Sequence, residues 1–349
     1  MLLARIGSDS GADSPKVSDV SEMLRVTREI REEQEQGLAT AATRSTQSRG
    51  RKRPEAPDEF RTAFERDRDR VIHTKAFRRL KHKTQVFLNP DGDHFVTRMT
   101  HTIHVTQVGR AMARALGLNE SLTEAICLAH DVGHSPFGHT GEDALTPFVE
   151  GEWLHSEQGV RTLSVLEPQN LSFEVLDGIR AHSWKIDPPP ATPEGWLCRF
   201  ADRIAYLTHD VSDALRAGVI EYHDIPRDTF TTFGGSAREW IGSMVTAVIE
   251  ASYREGEVVM DAEHLAVMDN LRDFMFERVY LSPEAEAQKV RAIQVIGDLV
   301  NHYRQVPTEI PDGFDTSQPL AASIDYVAGM TDRFALNSWE RLFRPTLNL

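Results

Sequence analysis

Apolar residues recur at the three- and four-residue spacing of an amphipathic helix along most of this 349-residue chain after residue 58. Segment 97–116 shows the pattern clearly, and Gly117 stands where a helix commonly ends. Segment 192–218 shows it again, with Thr192 as a suitable N-cap and Pro193 as a suitable first helical residue. The spacing therefore predicts a mainly α protein that forms one large domain.

Other stretches extend this helical pattern, whereas alternating strand patterns are scarce. Further helices are expected over 22–37, 121–132, 237–254, 262–280, 283–306 and 331–343. In the second of these, the sequence Ser121-Leu122-Thr123-Glu124 predicts a capping box at the helix start. Residues 229–233 are the best candidate for a short extended piece.

Four segments are expected along the chain. Residues 1–22 are rich in serine, aspartate and glycine without periodic apolar residues, which predicts a disordered tail. Residues 23–57 predict a helix followed by a basic, extended arm. Residues 58–224 form the helical core that holds the candidate site, and 225–349 supply additional C-terminal helices of the same domain.

Net charge and apolar runs limit the partners of this chain. With 39 basic and 53 acidic residues the net charge is −14, which disfavours non-specific binding to nucleic acid or membranes. No apolar run approaches the ~20 residues that span a bilayer, and no signal-peptide core follows Met1. Cys127 and Cys198 lie in no CxxC motif, so neither a disulfide framework nor a thiolate metal site is expected. We expect a soluble cytoplasmic protein.

A local basic segment runs against the overall acidic balance. Nine basic and three acidic residues lie between Arg61 and Lys83. One interpretation is a solvated helix face with i,i+4 pairs such as Arg61–Glu65. The other is a surface that contacts single-stranded nucleic acid.

Histidines and carboxylates cluster around an adjacent His130-Asp131 pair. An upstream His101 and a downstream Asp202 complete a set of imidazole and carboxylate donors that suits a divalent metal ion. Such a set leaves coordination positions for water and a phosphate oxygen, as Lewis-acid hydrolysis requires. The alternative for Asp202 is a surface ion pair with a neighbouring arginine, Arg199 or Arg203.

Three further positions near this set could take part in chemistry. His139 and Glu142 are three residues apart, which is the outline of an acid–base pair, although the same residues could simply begin a helix. His155 is a candidate for phosphate contact or, alternatively, a surface histidine near a helix start. The chain contains no Gly-x-Gly, Gly-Lys, His-Glu-x-x-His or Gly-x-Ser-x-Gly sequence, which argues against dinucleotide, P-loop, zincin and serine-hydrolase sites.

Six ordered blocks of this sequence resemble one known family. They are residues 61–70, 76–80, 83–87, 97–102, 130–143 and 201–210. Over about residues 45 to 218 the chain resembles the deoxynucleoside triphosphate triphosphohydrolases of the HD superfamily, specifically the bacterial dGTPase-like proteins. That resemblance implies a helical HD domain and attack of water on the α-phosphorus of a dNTP, releasing deoxynucleoside and triphosphate.

The resemblance also implies roles for individual residues. The metal ligands would be His101, His130, Asp131 and Asp202, with His139 as the acid–base residue and Glu142 as its orienter. Arg98 and Arg203 would bind the phosphates of the substrate, and His155 is a further substrate-binding candidate. Tyr206 and Asp210 would contact the 2′ and 3′ positions of the sugar, and Gln85 would lie near the sugar and base. The spacing of Asp202, Tyr206 and Asp210 independently places them along one helix face.

The remaining expectations concern the ion, the assembly and competing functions. Mg²⁺ or Mn²⁺ is the expected ion, and Fe, Co or Ni also suits these donors. His104 stands where members of the family tend to carry an acidic residue, and its imidazole could compete for the ion. A homo-oligomer is expected, and the family leaves room for an allosteric nucleotide. The alternatives are another HD phosphohydrolase, such as a nucleoside 5′-monophosphatase or a phosphodiesterase, and a nucleotide-sensing or nucleic-acid-binding protein without activity.

Overall fold

The computed structural model describes residues 24–86 and 94–345, and within these ranges the chain is built from α-helices with no β-sheet. The helices are α1 Arg28–Gln34, α2 Ala63–His73, α3 Lys75–Arg79, α4 Arg98–Leu116, α5 Glu120–Ala129, α6 His139–Leu145, α7 His155–Arg161, α8 Phe173–Ala181, α9 Pro193–Arg216, α10 Arg227–Phe233, α11 Ala237–Glu255, α12 Ala262–Met275, α13 Pro283–Gln305, α14 Pro319–Ala328 and α15 Asp332–Phe343. Two π-helical turns, Thr162–Leu166 and Phe276–Tyr280, extend α7 and α12. The predicted mainly α class is confirmed, and the predicted disordered tail lies outside the described residues.

Side-chain caps explain where two of the predicted helices begin. The Thr97 hydroxyl accepts a hydrogen bond from the Thr100 amide at the start of α4, and Gly117 ends that helix with a left-handed φ of 66°. Thr192 accepts from the Gly195 amide at the start of α9, and Pro193 occupies the first turn. These boundaries are those that the sequence predicted.

The predicted capping box at Ser121 was wrong. Helix α5 begins two residues earlier, because the Asn119 side chain accepts from the Leu122 amide. The same Asn119 side chain donates to Glu35 and to the Thr43 carbonyl. These long-range hydrogen bonds select the N-cap, so local sequence alone could not identify it.

The predicted extended piece at 229–233 was also wrong, because these residues belong to α10. Thr229 and Phe233, four residues apart, are both fully buried on one face of that helix. Burial of this face outweighs the weak local preference of the segment for an extended conformation.

The Arg61–Glu65 pair, which illustrated the solvated-face interpretation of the basic segment, does not form. Arg61 instead pairs with Asp58 and Asp69, while Glu65 closes the capping box at Thr62. Ion pairing within the basic segment leaves less free positive charge than its composition suggests. No helix among the described residues is long and apolar enough to cross a membrane.

Helix packing brings the histidine-bearing segments together. Helices α4, α5 and α9 pack on one another, and most of the apolar core lies around them. A second buried apolar cluster joins Phe137, Leu145 and Trp153 to helices α13, α14 and α15. The loop between α5 and α6 is therefore bounded on one side by the main core and on the other by the C-terminal helices.

Candidate metal centre and substrate pocket

Four side chains from three helices converge on one point. His101 lies in the first turns of α4, His130 and Asp131 directly follow α5, and Asp202 lies on α9. His101 Nε2 is 3.1 Å from Asp202 Oδ1 and 3.3 Å from His130 Nε2. His130 Nε2 is 3.5 Å from Asp131 Oδ1 and 3.8 Å from Asp202 Oδ1.

These separations fit a single metal ion. Ligand bonds of about 2.1 Å place neighbouring donor atoms about 3 Å apart and opposed ones about 4 Å apart. His130 Nδ1 lies 2.7 Å from the Cys127 carbonyl, so Nδ1 carries the proton and the Nε2 lone pair is free. His101 Nδ1 lies 2.9 Å from His209 Nε2, which fixes the His101 ring in the same way. The donor set suits a divalent ion of intermediate hardness.

The local charges keep both carboxylates ionised. Burial opposes charge on Asp131, but His130 and Arg98 hold the pKa of its carboxyl well below the usual range. Burial likewise opposes charge on Asp202, but the neighbouring imidazoles of His101 and His130 lower the pKa of its carboxyl. An ionised carboxylate is the form that binds a metal.

Asp202 is free of the surface ion pair that was the alternative interpretation. Arg199 donates instead to the carbonyls of Ala181 and Ile186. Arg203 donates to Asp269 over a distance of 2.9 Å. Asp202 therefore faces the histidines.

The loop that follows α5 needs its glycines. A Cβ atom on Gly133 would lie 2.1 Å from both the Gly159 amide nitrogen and the His155 carbonyl oxygen. Only glycine allows this close approach to α7. Phe137 and Gly138 both have positive φ, 64° and 60°, and the chain then enters α6 at His139.

A second group of ionisable side chains lies beside the first. Glu142 Oε1 is 2.8 Å from His155 Nδ1, 3.5 Å from His134 Nδ1 and 4.0 Å from His139 Nε2. Glu142 thus contacts His155 directly and His139 only at longer range. The His134 and His155 rings stack at 3.8 Å, and the His139 side chain is exposed.

Glu142 and His155 form a buried ion pair. Burial would disfavour the charged carboxylate, but the charge of His155 and its hydrogen bond lower the pKa of Glu142 to about 2. Burial would likewise lower the pKa of His155, but Glu142 raises it overall. His155 is thus buried beside a carboxylate, and it is not the surface histidine of the alternative interpretation.

Buried polar atoms of Arg98, which contacts Asp131, and of Gln85 have spare hydrogen-bonding capacity. Arg98 Nη1 donates to Asp131 Oδ2 at 2.9 Å, while its Nε and Nη2 find no partner within the described part of the chain. Gln85 Oε1 is also buried without a partner among the described residues. Such groups normally bind a partner when buried, so they point to a bound polar ligand.

Helix α9 extends the site away from the metal ligands. Asp202, Tyr206 and Asp210 lie at successive i+4 positions along this helix. Asp210 Oδ2 accepts a hydrogen bond from the Tyr280 hydroxyl at 2.6 Å. Asp210 Oδ1 is buried 2.7 Å from His209 Nδ1, a contact that lies outside hydrogen-bond geometry, and it accepts no hydrogen bond from the residues that the structure describes.

Several residues of the site were not assigned from the sequence. They are Lys83, His134, His182, His209, Asp269, Tyr280 and Asp332. His209 stands in a second His-Asp dipeptide seven residues after Asp202, so helical spacing could have identified it. His182 Nε2 lies 2.9 Å from His155 Nε2, a contact with no local signal. His104 is exposed, and its ring lies 5.9 Å from that of His209.

Comparison with known proteins gives a consistent result over both halves of the chain. The HD domain family matches residues 98–207, and the phosphohydrolase-associated domain matches residues 258–341. A deoxyguanosinetriphosphate triphosphohydrolase-like protein of Caldanaerobacter subterraneus is 44% identical over 308 residues, covering 86% of this chain and 90% of that protein. Proteins of the same name from Desulfatibacillum aliphaticivorans and Clostridium perfringens are 42% and 40% identical over the same share of this chain, and cover 93% and 92% of their own lengths.

The helical fold and the paired His130-Asp131 define an HD-domain protein. Within that class, the chain belongs to the family of deoxyguanosinetriphosphate triphosphohydrolase-like proteins. The resemblance that was found in six sequence blocks is thereby confirmed.

Proposed function

We propose that this protein hydrolyses deoxynucleoside triphosphates, dGTP among them, to deoxynucleoside and inorganic triphosphate. The observation that carries the proposal is the face of α9, which combines Asp202 at the candidate metal centre with Tyr206 and the buried Asp210, whose Oδ1 accepts no hydrogen bond from the described residues. The names of the relatives support the substrate class.

His101, His130, Asp131 and Asp202 would hold the metal ion. When bound, the ion would act as a Lewis acid toward the α-phosphate and make an attacking water more acidic. Arg98 is buried, and two of its guanidinium nitrogens have no partner among the described residues, so it would bind phosphate oxygens on which charge accumulates. Arg203 would contact the phosphate chain from α9.

Water attack forms a new P–O bond and breaks the bond between the α-phosphorus and O5′. The departing O5′ then needs a proton to become a hydroxyl group. We assign this general-acid role to His139, whose exposed side chain can approach the substrate. Glu142 would stabilise protonated His139 through its charge at 4.0 Å and would hold His155 by the shorter contact.

The sugar would lie along α9. Asp210 Oδ1 would accept a hydrogen bond from the 3′-hydroxyl, while Tyr280 holds the other carboxylate oxygen. Tyr206 would occupy the space beside the 2′ carbon and exclude a ribose hydroxyl. Gln85 Oε1 would meet the sugar or base.

A product assay tests the proposal. The protein is incubated with Mg²⁺ or Mn²⁺ and each dNTP and NTP, singly and mixed, and in parallel with nucleoside monophosphates and cyclic nucleotides. The products are separated by chromatography. Triphosphate and deoxynucleoside are the expected products, and Asp131→Ala is the inactive control. Release of orthophosphate from monophosphates, or ring opening of cyclic nucleotides, would instead favour another HD phosphohydrolase, and binding without turnover would favour a sensor.

Finer properties are part of the same proposal. Mg²⁺ or Mn²⁺ is the expected ion, the protein is expected to form homo-oligomers in the cytoplasm, and a second nucleotide could act allosterically. Light scattering at micromolar protein, with and without dNTPs, tests the assembly. A rate that depends on mixing dNTPs would support allostery.

A further inference from the structure

One buried carboxylate of the C-terminal helices bonds to two segments of the candidate site. Asp332 is the first residue of α15 and is 6% exposed. Its Oδ1 accepts from the Phe137 amide at 3.0 Å, and its Oδ2 accepts from the Thr84 amide at 2.9 Å. Both oxygens are therefore used by distant parts of the chain.

Capping of its own helix does not explain this arrangement. The N-cap of α15 is Thr331, whose hydroxyl accepts from the Phe334 amide. The Asp332 carboxylate is directed away from α15, at amides 195 and 248 residues distant in sequence. A helix start needs only one such cap, so the second carboxylate has another role.

Each of the two bonded segments leads directly into the site. Phe137 has a left-handed φ of 64° and stands two residues before His139. A side chain with a Cβ atom is disfavoured in this region because the Cβ crowds the following carbonyl oxygen, so the surrounding contacts must hold Phe137 there. Thr84 immediately precedes Gln85, whose buried Oε1 has no partner in the described ranges.

The two segments also meet at Arg98. A Cβ atom on Gly138 would lie 2.7 Å from Arg98 Nη2 and 3.7 Å from the Gln85 carbonyl oxygen. A shift of either segment would therefore change the space around the phosphate-binding guanidinium. Asp332 joins both segments within one carboxylate group.

A lysine makes a second connection between the same parts. The buried Lys83 ammonium group donates to the His134 carbonyl and, at 3.1 Å, to the Ala328 carbonyl at the end of α14. The Phe137 side chain enters the apolar cluster of α13 to α15. The C-terminal helices thus hold the loop between α5 and α6 by polar and apolar contacts.

We infer that Asp332 is a positioning residue for hydrolysis: it fixes the loop that delivers His139 relative to the segment that delivers Gln85. The C-terminal helices then complete the catalytic site, although none of their residues needs to touch the reacting phosphate. This inference rests on the proposed function for the identity of the reaction.

The test compares Asp332→Asn with Asp298→Asn. A carboxamide has one acceptor oxygen, so one of the two backbone amides loses its bond. Asp298 accepts from Trp339 Nε1 at 2.8 Å, within the same C-terminal helices, and in the described part of the chain it makes no hydrogen bond or ion pair with a site residue. We expect Asp332→Asn to lower kcat about 10- to 100-fold, with unchanged metal affinity, and Asp298→Asn to leave kcat within about twofold of wild type.

Hydrogen exchange of residues 130–138 supplies a readout that does not depend on activity. Faster exchange in Asp332→Asn than in Asp298→Asn is expected. Asp332→Glu keeps both acceptor oxygens but moves them by one methylene. If Asp332→Asn fails to fold, kcat and the exchange of residues 130–138 are measured in Asp332→Glu instead, with changes in the same direction expected. Unchanged kcat and unchanged loop exchange in the folded Asp332 variants would overturn the inference. Wild-type protein that releases no triphosphate would instead refute the proposed function, while the exchange result would still decide the role of Asp332.

Discussion

His209→Ala is predicted to weaken metal binding although His209 is not itself a ligand. His101 Nε2 faces the ion site, so its proton lies on Nδ1 and is donated to His209 Nε2 at 2.9 Å. His209 must then carry its own proton on Nδ1, which lies 2.7 Å from Asp210 Oδ1. Removing the His209 ring leaves the His101 N–H buried without a partner or allows the proton to move to Nε2.

The expected loss of metal affinity can be worked from the unpaired N–H group of His101. An unsatisfied buried donor costs ~1–3 kcal/mol, and loss of a partner that orients a metal ligand typically lowers metal affinity about 10- to 100-fold. Titration calorimetry of metal-free protein with Mn²⁺ gives the dissociation constant. We expect His209→Gln to recover part of the affinity, because its side-chain oxygen can accept from His101.

His104→Ala is the matched control. It removes an imidazole of α4, the helix that carries His101. The His104 ring lies 5.9 Å from that of His209, and among the described residues it makes no hydrogen bond to a candidate metal ligand. The Mn²⁺ dissociation constant of this variant is expected to stay within about twofold of wild type. An unchanged dissociation constant for His209→Ala would refute the reasoning, and a large effect of His104→Ala would show that His104 takes part in binding the ion.

Three further predictions concern the ligands, the sugar and a buried lysine. Asp131→Ala should abolish metal binding and turnover while the circular dichroism of the helices is retained; full metal occupancy would contradict the ligand assignment. Tyr206→Ala should admit the ribonucleotide and so reduce the preference for dGTP over GTP in kcat/KM, by ~1–3 kcal/mol or about 10- to 150-fold. Equal kcat/KM values for dGTP and GTP in the unmutated enzyme would refute this role. Burial lowers the pKa of Lys83 to about 7 in the folded protein, against 10.5 as its ordinary value. The unfolded chain therefore binds more protons between about pH 7 and 10.5, and stability should rise with pH there; melting temperatures of wild type and Lys83→Met that run parallel over this range would contradict the shift.

Regular helical spacing made the main part of the site predictable. Asp202, Tyr206 and Asp210 lie on α9 as their i+4 steps indicated, and the caps at Thr97 and Thr192 begin the expected helices. The family and the mainly α class were likewise predicted correctly. These features depend on residues that are close to one another in sequence, so the sequence alone indicates them.

Features that depend on distant contacts were not predictable. Asn119 replaced Ser121 as an N-cap because Glu35 and Thr43 bind its side chain. Asp332 looks like an ordinary first-turn acid of α15 until the fold brings it to Phe137. His182 acquires its importance only through the contact with His155.

Hydrolysis of dGTP in ¹⁸O-labelled water tests the central claim most directly. Attack at the α-phosphorus with cleavage of the bond to O5′ predicts one labelled oxygen in the released triphosphate and none in deoxyguanosine, as mass spectrometry of both products would show. Labelled deoxyguanosine, or release of dGMP with pyrophosphate or of dGDP with orthophosphate, would contradict the proposed reaction.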